Sequence, residues 1–229
     1  MHGKKYNNAK QHVSAGAVLS PKDAFNKVKA VAFAKFDESV DLNINLGIDP
    51  SKGEQVVRGS VILPHKIGKN VRVLVFAKGD YIDQALTAGA DYVGAEELIE
   101  KIEGGWMEFD VALATPDLMG LVSKLAKQLG PKGLLPNKKL GTVTFDVASV
   151  VTDLKRGRTF FKNDKSGLVH FRIGKVSFSN EHLIENFTAF VKALASVRPP
   201  TAKGKFIQKV TASSSMGPGV QVNPELAID

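Results

Sequence analysis

The stretch Thr211 to Val220, TASSSMGPGV, holds the residue types best suited to recognition. Strand alternation puts the hydroxyls of Thr211, Ser213 and Ser215 on one face. Met216 follows with a flexible apolar surface. Gly217 and Gly219 carry no Cβ, so another backbone can come close, and Pro218 stiffens the turn between them. Hydroxyls, bare amides and a thioether together suit a polar, shaped partner such as an RNA sugar–phosphate ridge. Taken alone, the decapeptide is also an ordinary strand and turn, since Ser and Gly are common turn residues.

Composition bears on that choice. The chain has 229 residues, a formal net charge of +8 and 43% hydrophobic residues. That length and composition fit one large domain or two small ones with a proper core. A positive balance favours a polyanionic partner, either nucleic acid or an anionic membrane surface. The absence of cysteine removes disulfides, thiolate catalysis and the common structural zinc sites. The segment MHGKKYNN is basic and polar with no apolar stretch behind it, so no signal peptide is read. No apolar run approaches the roughly 18 residues needed to span a bilayer.

Catalytic constellations are missing. Neither GxGxxG nor GxxxxGK(S/T) occurs, and Ile67-Gly68-Lys69-Asn70 is only a fragment of the second. The histidines, His2, His12, His65, His170 and His182, lack metal-ligand spacing, and there is no GxSxG elbow. No metal, no cofactor and no enzymatic activity are expected. One loop stands out, Gly130-Pro131-Lys132-Gly133-Leu134-Leu135-Pro136-Asn137. It reads either as a helix C-cap with a stiffened connector or as a rigid loop whose Lys132 and Gly133 touch phosphate.

The elements that must position these residues are legible in pattern. Lys4, Lys5 and Lys10 suggest a loosely ordered basic arm. Ser20, Pro21 and Asp23 form an N-cap, a first helical position and a first-turn acid, for a helix reaching about Ala34. Val40, Leu42, Ile44 and Leu46 alternate as a half-buried strand, and a second strand is expected over Gln55–Leu63. Val71–Ala77 and Asp110–Thr115 are apolar runs, as in strands covered on both faces. Between and after them come helices over Tyr81–Ala88, Glu96–Glu103, Asp117–Gln128 and Val147–Lys155, with a strand over Thr142–Phe145. Thr159–Lys162 and Leu168–Arg172 read as a hairpin around Asn163–Gly167. A strand over Lys175–Phe178, a helix capped by Asn180 and a strand over Lys205–Ser215 complete the chain.

Strand and helix alternate through the middle, which argues a doubly wound unit. The flanks carry antiparallel strands, helices and many bases. The expected fold class is therefore α/β and α+β: a two-layer α+β domain, residues 1–66 and 158–229, with an inserted Rossmann-like three-layer α/β domain, residues 67–157. The two connections, near Pro64–Lys69 and Arg156–Arg158, would form a hinge.

Several motifs occur in one order along nearly the whole chain. They are HGKKY at 2–6, AKFDESVDLNINLGIDP at 34–50, QVVRGSVILPH at 55–65, AGADYVG at 88–94, GWMEFDVALATPDLM at 105–119, LGPKGLLPN at 129–137, FKNDKSGLVHFRIGK at 161–175 and SMGPG at 215–219. This pattern resembles the ribosomal L1 family, the protein of the mobile stalk of the large ribosomal subunit, in its bacterial type. The resemblance implies an α/β domain inserted in an α+β domain that carries the main RNA site. It places that site on Lys35, Phe36, Asp164, Lys165 and Ser215-Met216-Gly217. Ser215 stands where the family usually has Thr, and Lys209 where a small hydroxyl is common, adding a candidate phosphate contact. The implied partners are 23S rRNA, deacylated tRNA at the exit site and the mRNA of its own operon. A cytoplasmic, ribosome-bound protein, monomeric off the ribosome and without a membrane, is expected.

The chemistry of these residues agrees with that placement. Lys35 and Lys165 can pair with phosphates, and Ser215 can bond a ribose 2′-hydroxyl. Asp164 is unsuited to phosphate; it accepts from a base or 2′-hydroxyl, or orients Lys165. Phe36 either stacks on RNA or sits at the core edge, and His170 is given a structural role. Two rivals stay open on the sequence: an α/β enzyme acting on a phosphorylated metabolite, and a nonspecific basic protein on nucleic acid or anionic lipid.

Overall fold

The computed structural model describes residues 3–13, 16–68 and 70–225. Along the chain run α1 (Lys4–Gln11), β1 (Val18–Leu19), α2 (Pro21–Val31), β2 (Ser39–Leu46), β3 (Arg58–Ile62), β4 (Val73–Phe76), α3 (Asp80–Thr87), β5 (Tyr92–Gly94), α4 (Glu96–Glu103), β6 (Val111–Ala114), α5 (Met119–Val122), α6 (Ala126–Lys132), α7 (Val147–Arg156), β7 (Arg158–Lys162), β8 (Leu168–Lys175), α8 (Asn180–Ser196), β9 (Ile207–Ser214) and β10 (Val220–Val222). They fall into two compact units. One holds Met1–Ile67 with Phe160–Asp229, the other Gly68–Thr159. The proposed hinge residue Lys69 lies outside the described residues.

The discontinuous unit is built on a five-stranded sheet in the order β1-β10-β9-β2-β8, with a two-stranded ribbon of β3 and β7. β2 sits between β8 and β9, antiparallel to both. Its alternation decides which side is core: Val40, Leu42, Ile44 and Leu46 are buried. Helices α2 and α8 cover that side. The Ser20 hydroxyl caps α2 by accepting from the Asp23 N–H at 3.2 Å, and Phe25 meets Phe187 of α8 edge-on at 5.6 Å. Phe171 and Phe190 stack at 3.8 Å, and the ring of Phe161 stands edge-on to both. The other side of the sheet carries polar side chains and no helix of this pair.

The continuous unit has a three-stranded parallel sheet in the order β5-β4-β6. All of β4 is buried. Leu74 and Phe76 share a core with Leu98, Ile102, Leu125 and Leu129. Val73 and Val75, also buried, remain for the opposite face, where α3 and α7 meet. Helices on both faces of a short parallel sheet are the doubly wound arrangement.

Several expected elements differ. The N-terminal arm is a helix, α1, with Ala9 buried. Helix α2 stops at Val31, because Ala32 turns to an extended backbone. The second strand shrinks to β3, preceded by a 3₁₀ turn over Gly53–Gln55. The single helix expected over Asp117–Gln128 is a chain of 3₁₀ and α turns. Its last piece, α6, runs through Gly130 and Pro131 to Lys132, so the Gly130–Asn137 loop begins later than expected. Thr142–Phe145 contributes one bridge, Val143 to Ala114, rather than a strand. The expected hairpin is split between sheets: β8 pairs with β2, β7 with β3, and one bridge joins Asn163 to Val169. Long-range pairing outcompetes the local turn there. The strand expected over Lys175–Phe178 ends at Lys175, and the cap of α8 is Ser179, which accepts from the His182 N–H. The short strands β1, β5 and β10 lack enough residues to show a period.

Phe190→Ala removes the ring at the centre of the aromatic cluster. The expected cost is about 3–5 kcal/mol, read as a lower urea midpoint in circular dichroism.

Candidate RNA interface

One buried acid ties together two of the expected site segments, the Lys35–Phe36 loop and the Ser215–Gly217 turn. Glu38 is 1% exposed. Its Oε1 accepts from the backbone N–H groups of Ala34 at 2.7 Å and Phe33 at 3.1 Å, and its Oε2 from that of Met216 at 3.0 Å. Burial alone would raise its carboxyl. The Ser214 hydroxyl and those three N–H groups outweigh burial and hold it below its ordinary value of 4.5. The loop after α2 and the turn after β9 are thereby tied to one carboxylate.

Two further contacts hold the loop. The Ser39 N–H donates to Ser215 Oγ at 3.0 Å. Asp37 accepts from the Ser177 hydroxyl at 2.9 Å and its N–H at 3.1 Å. Lys35 and Phe36 are left pointing outward between these anchors. Phe36 is 59% and Met216 54% exposed, so Phe36 is not a core-edge ring. Ser215 lies beyond the end of β9. Its oxygen is engaged by Ser39, which leaves its O–H to donate. The glycines have an internal reason. A Cβ on Gly217 would lie 2.4 Å from Ser214 Oγ, and one on Gly219 2.7 Å from Thr211 Cγ2.

A polar face leads away from this turn. β9 and β2 pair Ser213 with Asp41, Thr211 with Asn43 and Lys209 with Asn45. β2 and β8 continue the rows, Asp41 to Arg172 and Asn43 to His170. Arg172 Nε is 3.3 Å from Asp41 Oδ1, and His170 Nδ1 is 2.6 Å from Asn43 Oδ1. From Lys209 to Ser215 the strip is about 20 Å long at ~3.3 Å per residue.

The Asp164–Lys165 turn opens β8 at the Lys209 end. Asp164 Oδ1 accepts from the N–H groups of Ser166 and Leu168, both at 2.8 Å, and Oδ2 lies 3.4 Å from His170 Nε2. The Leu168 N–H first, then that of Ser166, holds its carboxyl below the ordinary value. Asp164 therefore shapes the turn, and Lys165 is the exposed cation on it. Lys132 and Gly133 belong to the other unit: Lys132 ends α6 and Gly133 caps it at φ +71°. Glu38, Asn43, Asn45 and Arg172 had no sequence signal as site residues. An acid before an alternating strand looks solvated until its burial is seen.

The nucleotide-enzyme alternative finds little here. The first turn of α3, where a phosphate would sit on such a fold, carries Asp80 and Asp83. Nearby Lys78 is paired with Glu96 at 2.8 Å. Among the described residues no group of three His, Asp or Glu is arranged to hold a metal ion. No helix among them is long and apolar enough to cross a membrane.

Residues 28–218 match the sequence model of the Ribosomal protein L1p/L10e family. The chain belongs to that family. Membership implies a structural role in the large ribosomal subunit, rRNA binding and association with the ribosome. The matched span contains the whole polar strip and the residues from Lys35 to Gly217.

Glu38→Gln places an amide NH₂ against N–H donors, and the expected loss is on the order of 3–5 kcal/mol. The folded carboxyl is depressed, so its stabilisation is complete above pH 4.5 and fades as pH falls through the lower folded value. Urea unfolding between pH 3 and pH 7 should show this acid limb in the wild type and a flatter one in the variant.

Proposed function

We propose that this protein is a bacterial-type member of its family that binds 23S rRNA directly. It forms the mobile stalk, assists release of deacylated tRNA from the exit site, and represses its own operon by binding a similar mRNA structure. It acts as a non-catalytic binding protein, monomeric off the ribosome. The observation that carries this reading is the shared anchoring of two loops on Glu38. It holds exposed Phe36 and Met216 beside Lys35, where an aromatic, a thioether and a cation can meet bases and phosphates. Lys165, Lys209 and the hydroxyls of Thr211 and Ser213 extend the contact along the open sheet. Lys132 and Gly133 are a secondary contact.

The RNA site is assigned to the α+β domain, residues 1–66 and 158–229, with 67–157 as the insert. Joining 1–66 to 158–229 through a short Gly/Ser linker should give a folded protein that keeps most affinity for a folded rRNA fragment. If it folds but binds no better than an unrelated basic protein, the assignment fails. Nucleotide titration and competition with unrelated RNA at moderate salt separate this reading from an enzyme and from a nonspecific basic protein.

Point variants divide the binding energy. Met216→Asp sets a carboxylate against a dry RNA surface at a cost of several kcal/mol, roughly, in specific binding. Ser215→Ala should cost about 1–3 kcal/mol. Lys165→Ala should weaken specific and nonspecific RNA alike and reduce the salt slope by about one or less. At high salt the losses should rank in that order, because screening removes the lysine contribution first. A folded Met216→Asp protein with full affinity would remove the turn from the site.

A further inference from the structure

Helix α1 stands between two hollows of the discontinuous unit. The larger, about 620 Å³, is walled by Lys4, Lys5, Tyr6, Phe33, Ser215 and Met216, with Gly3 and Gly217 at its edges. The smaller, about 190 Å³, is lined by Tyr6, Lys10, Lys209, Thr211 and Gln221 among others. Tyr6 is common to both.

We propose that the larger hollow takes one unpaired nucleotide of the bound RNA. Its base lies against Tyr6, Phe33 and Met216, and its phosphate beside Lys4 and Lys5. The proposal rests on the rRNA-binding reading above and adds to it a segment, α1, that holds none of the RNA-site residues named from the sequence.

The wall chemistry selects this occupant. Two aromatic rings and an exposed thioether make an apolar surface that a flat base can cover. Among the described residues, the only charged side chains lining it are lysines, so a phosphate is attracted and an acidic wall does not oppose it. Glu38, whose carboxylate is bonded to the backbone of this wall, is engaged by the N–H groups of Phe33, Ala34 and Met216. Those bonds fix two parts of the wall, Phe33 and the Met216 turn. The Ser215 O–H is available to a base edge or a 2′-hydroxyl, since its oxygen already accepts from Ser39. Paired bases in an A-form stem present no face to such a hollow, whereas an unpaired base can turn out and stack. A strand leaving past Tyr6 would enter the smaller hollow, where Lys10 and Lys209 meet the next phosphates.

The test uses the full chain and a folded stem-loop fragment of large-subunit rRNA from the same cells. Nucleotide-resolution chemical probing should show an unpaired base that becomes protected on binding. Tyr6→Ala should restore its reactivity and weaken binding roughly 5- to 150-fold, the contribution of one base–aromatic contact. Tyr6→Phe should keep both affinity and protection, because stacking needs the ring and not the hydroxyl. Lys4→Ala with Lys5→Ala should lower the salt slope by about one to two and leave the base protected. If wild-type protein binds the fragment and every unpaired base stays reactive, the pocket is wrong and rRNA binding stands. The pocket is equally wrong if Tyr6→Ala binds and protects like the wild type. If wild-type protein does not bind the fragment at all, the rRNA reading falls and the pocket falls with it. Should Tyr6→Ala lose α1 by circular dichroism, the wild-type footprint decides alone.

Discussion

A carboxylate taken out of water must be met by donors, and Glu38 is met by three backbone N–H groups from two segments far apart in sequence. Those same N–H groups lie just past the ends of elements, at the exit of α2 and in the turn after β9, where no helix or ladder partner would otherwise satisfy them. One side chain therefore solves two problems. It satisfies the donors of both segments and ties both to one carboxylate. Phe36 and Met216 can stay exposed because the backbone beneath them has no freedom to fold them inward.

The central strand makes a buried face and a polar face from one sequence. Val40, Leu42, Ile44 and Leu46 face the helices, while Asp41, Asn43 and Asn45 face the open side. A slip of one residue would exchange the two sets. Such a slip would bury polar groups and expose aliphatic ones, so the stability of the core enforces the register of the polar face. Hydrogen bonds across the open face, from Asn43 to His170 and on to Asp164, carry that order to the turn bearing Lys165.

The continuous unit obeys different physics. Its strands are covered on both faces, and its helix termini carry their own complementary charges, with Asp80 and Asp83 at the start of α3 and Lys155 and Arg156 at the end of α7. Lys155 meets Asp91 at 2.6 Å and the Val71 carbonyl at 2.9 Å. Among the acids of this unit, Asp91, Asp110 and Glu96 pair with Lys155, Arg72 and Lys78.

Much was legible before any coordinates. Alternation in Ser39–Leu46, apolar runs in Val73–Phe76 and Val111–Ala114, and the Ser20-Pro21 cap each follow from local chemistry that a short window contains. So does the mixed α/β and α+β class. The resemblance points to Phe36, Lys165 and Met216, and each of these side chains is exposed. What sequence could not decide depends on partners distant along the chain. Whether Leu168–Lys175 pairs with the strand before it or with Ser39–Leu46 is settled by which pairing buries Val169, Phe171 and Ile173 under α8. That the basic segment Lys4–Gln11 is a helix lining a hollow with Phe33 and Met216 is seen only in the tertiary structure. Glu38 reads as one more surface acid until the tertiary structure encloses it, since burial belongs to the surroundings of a residue and not to its type.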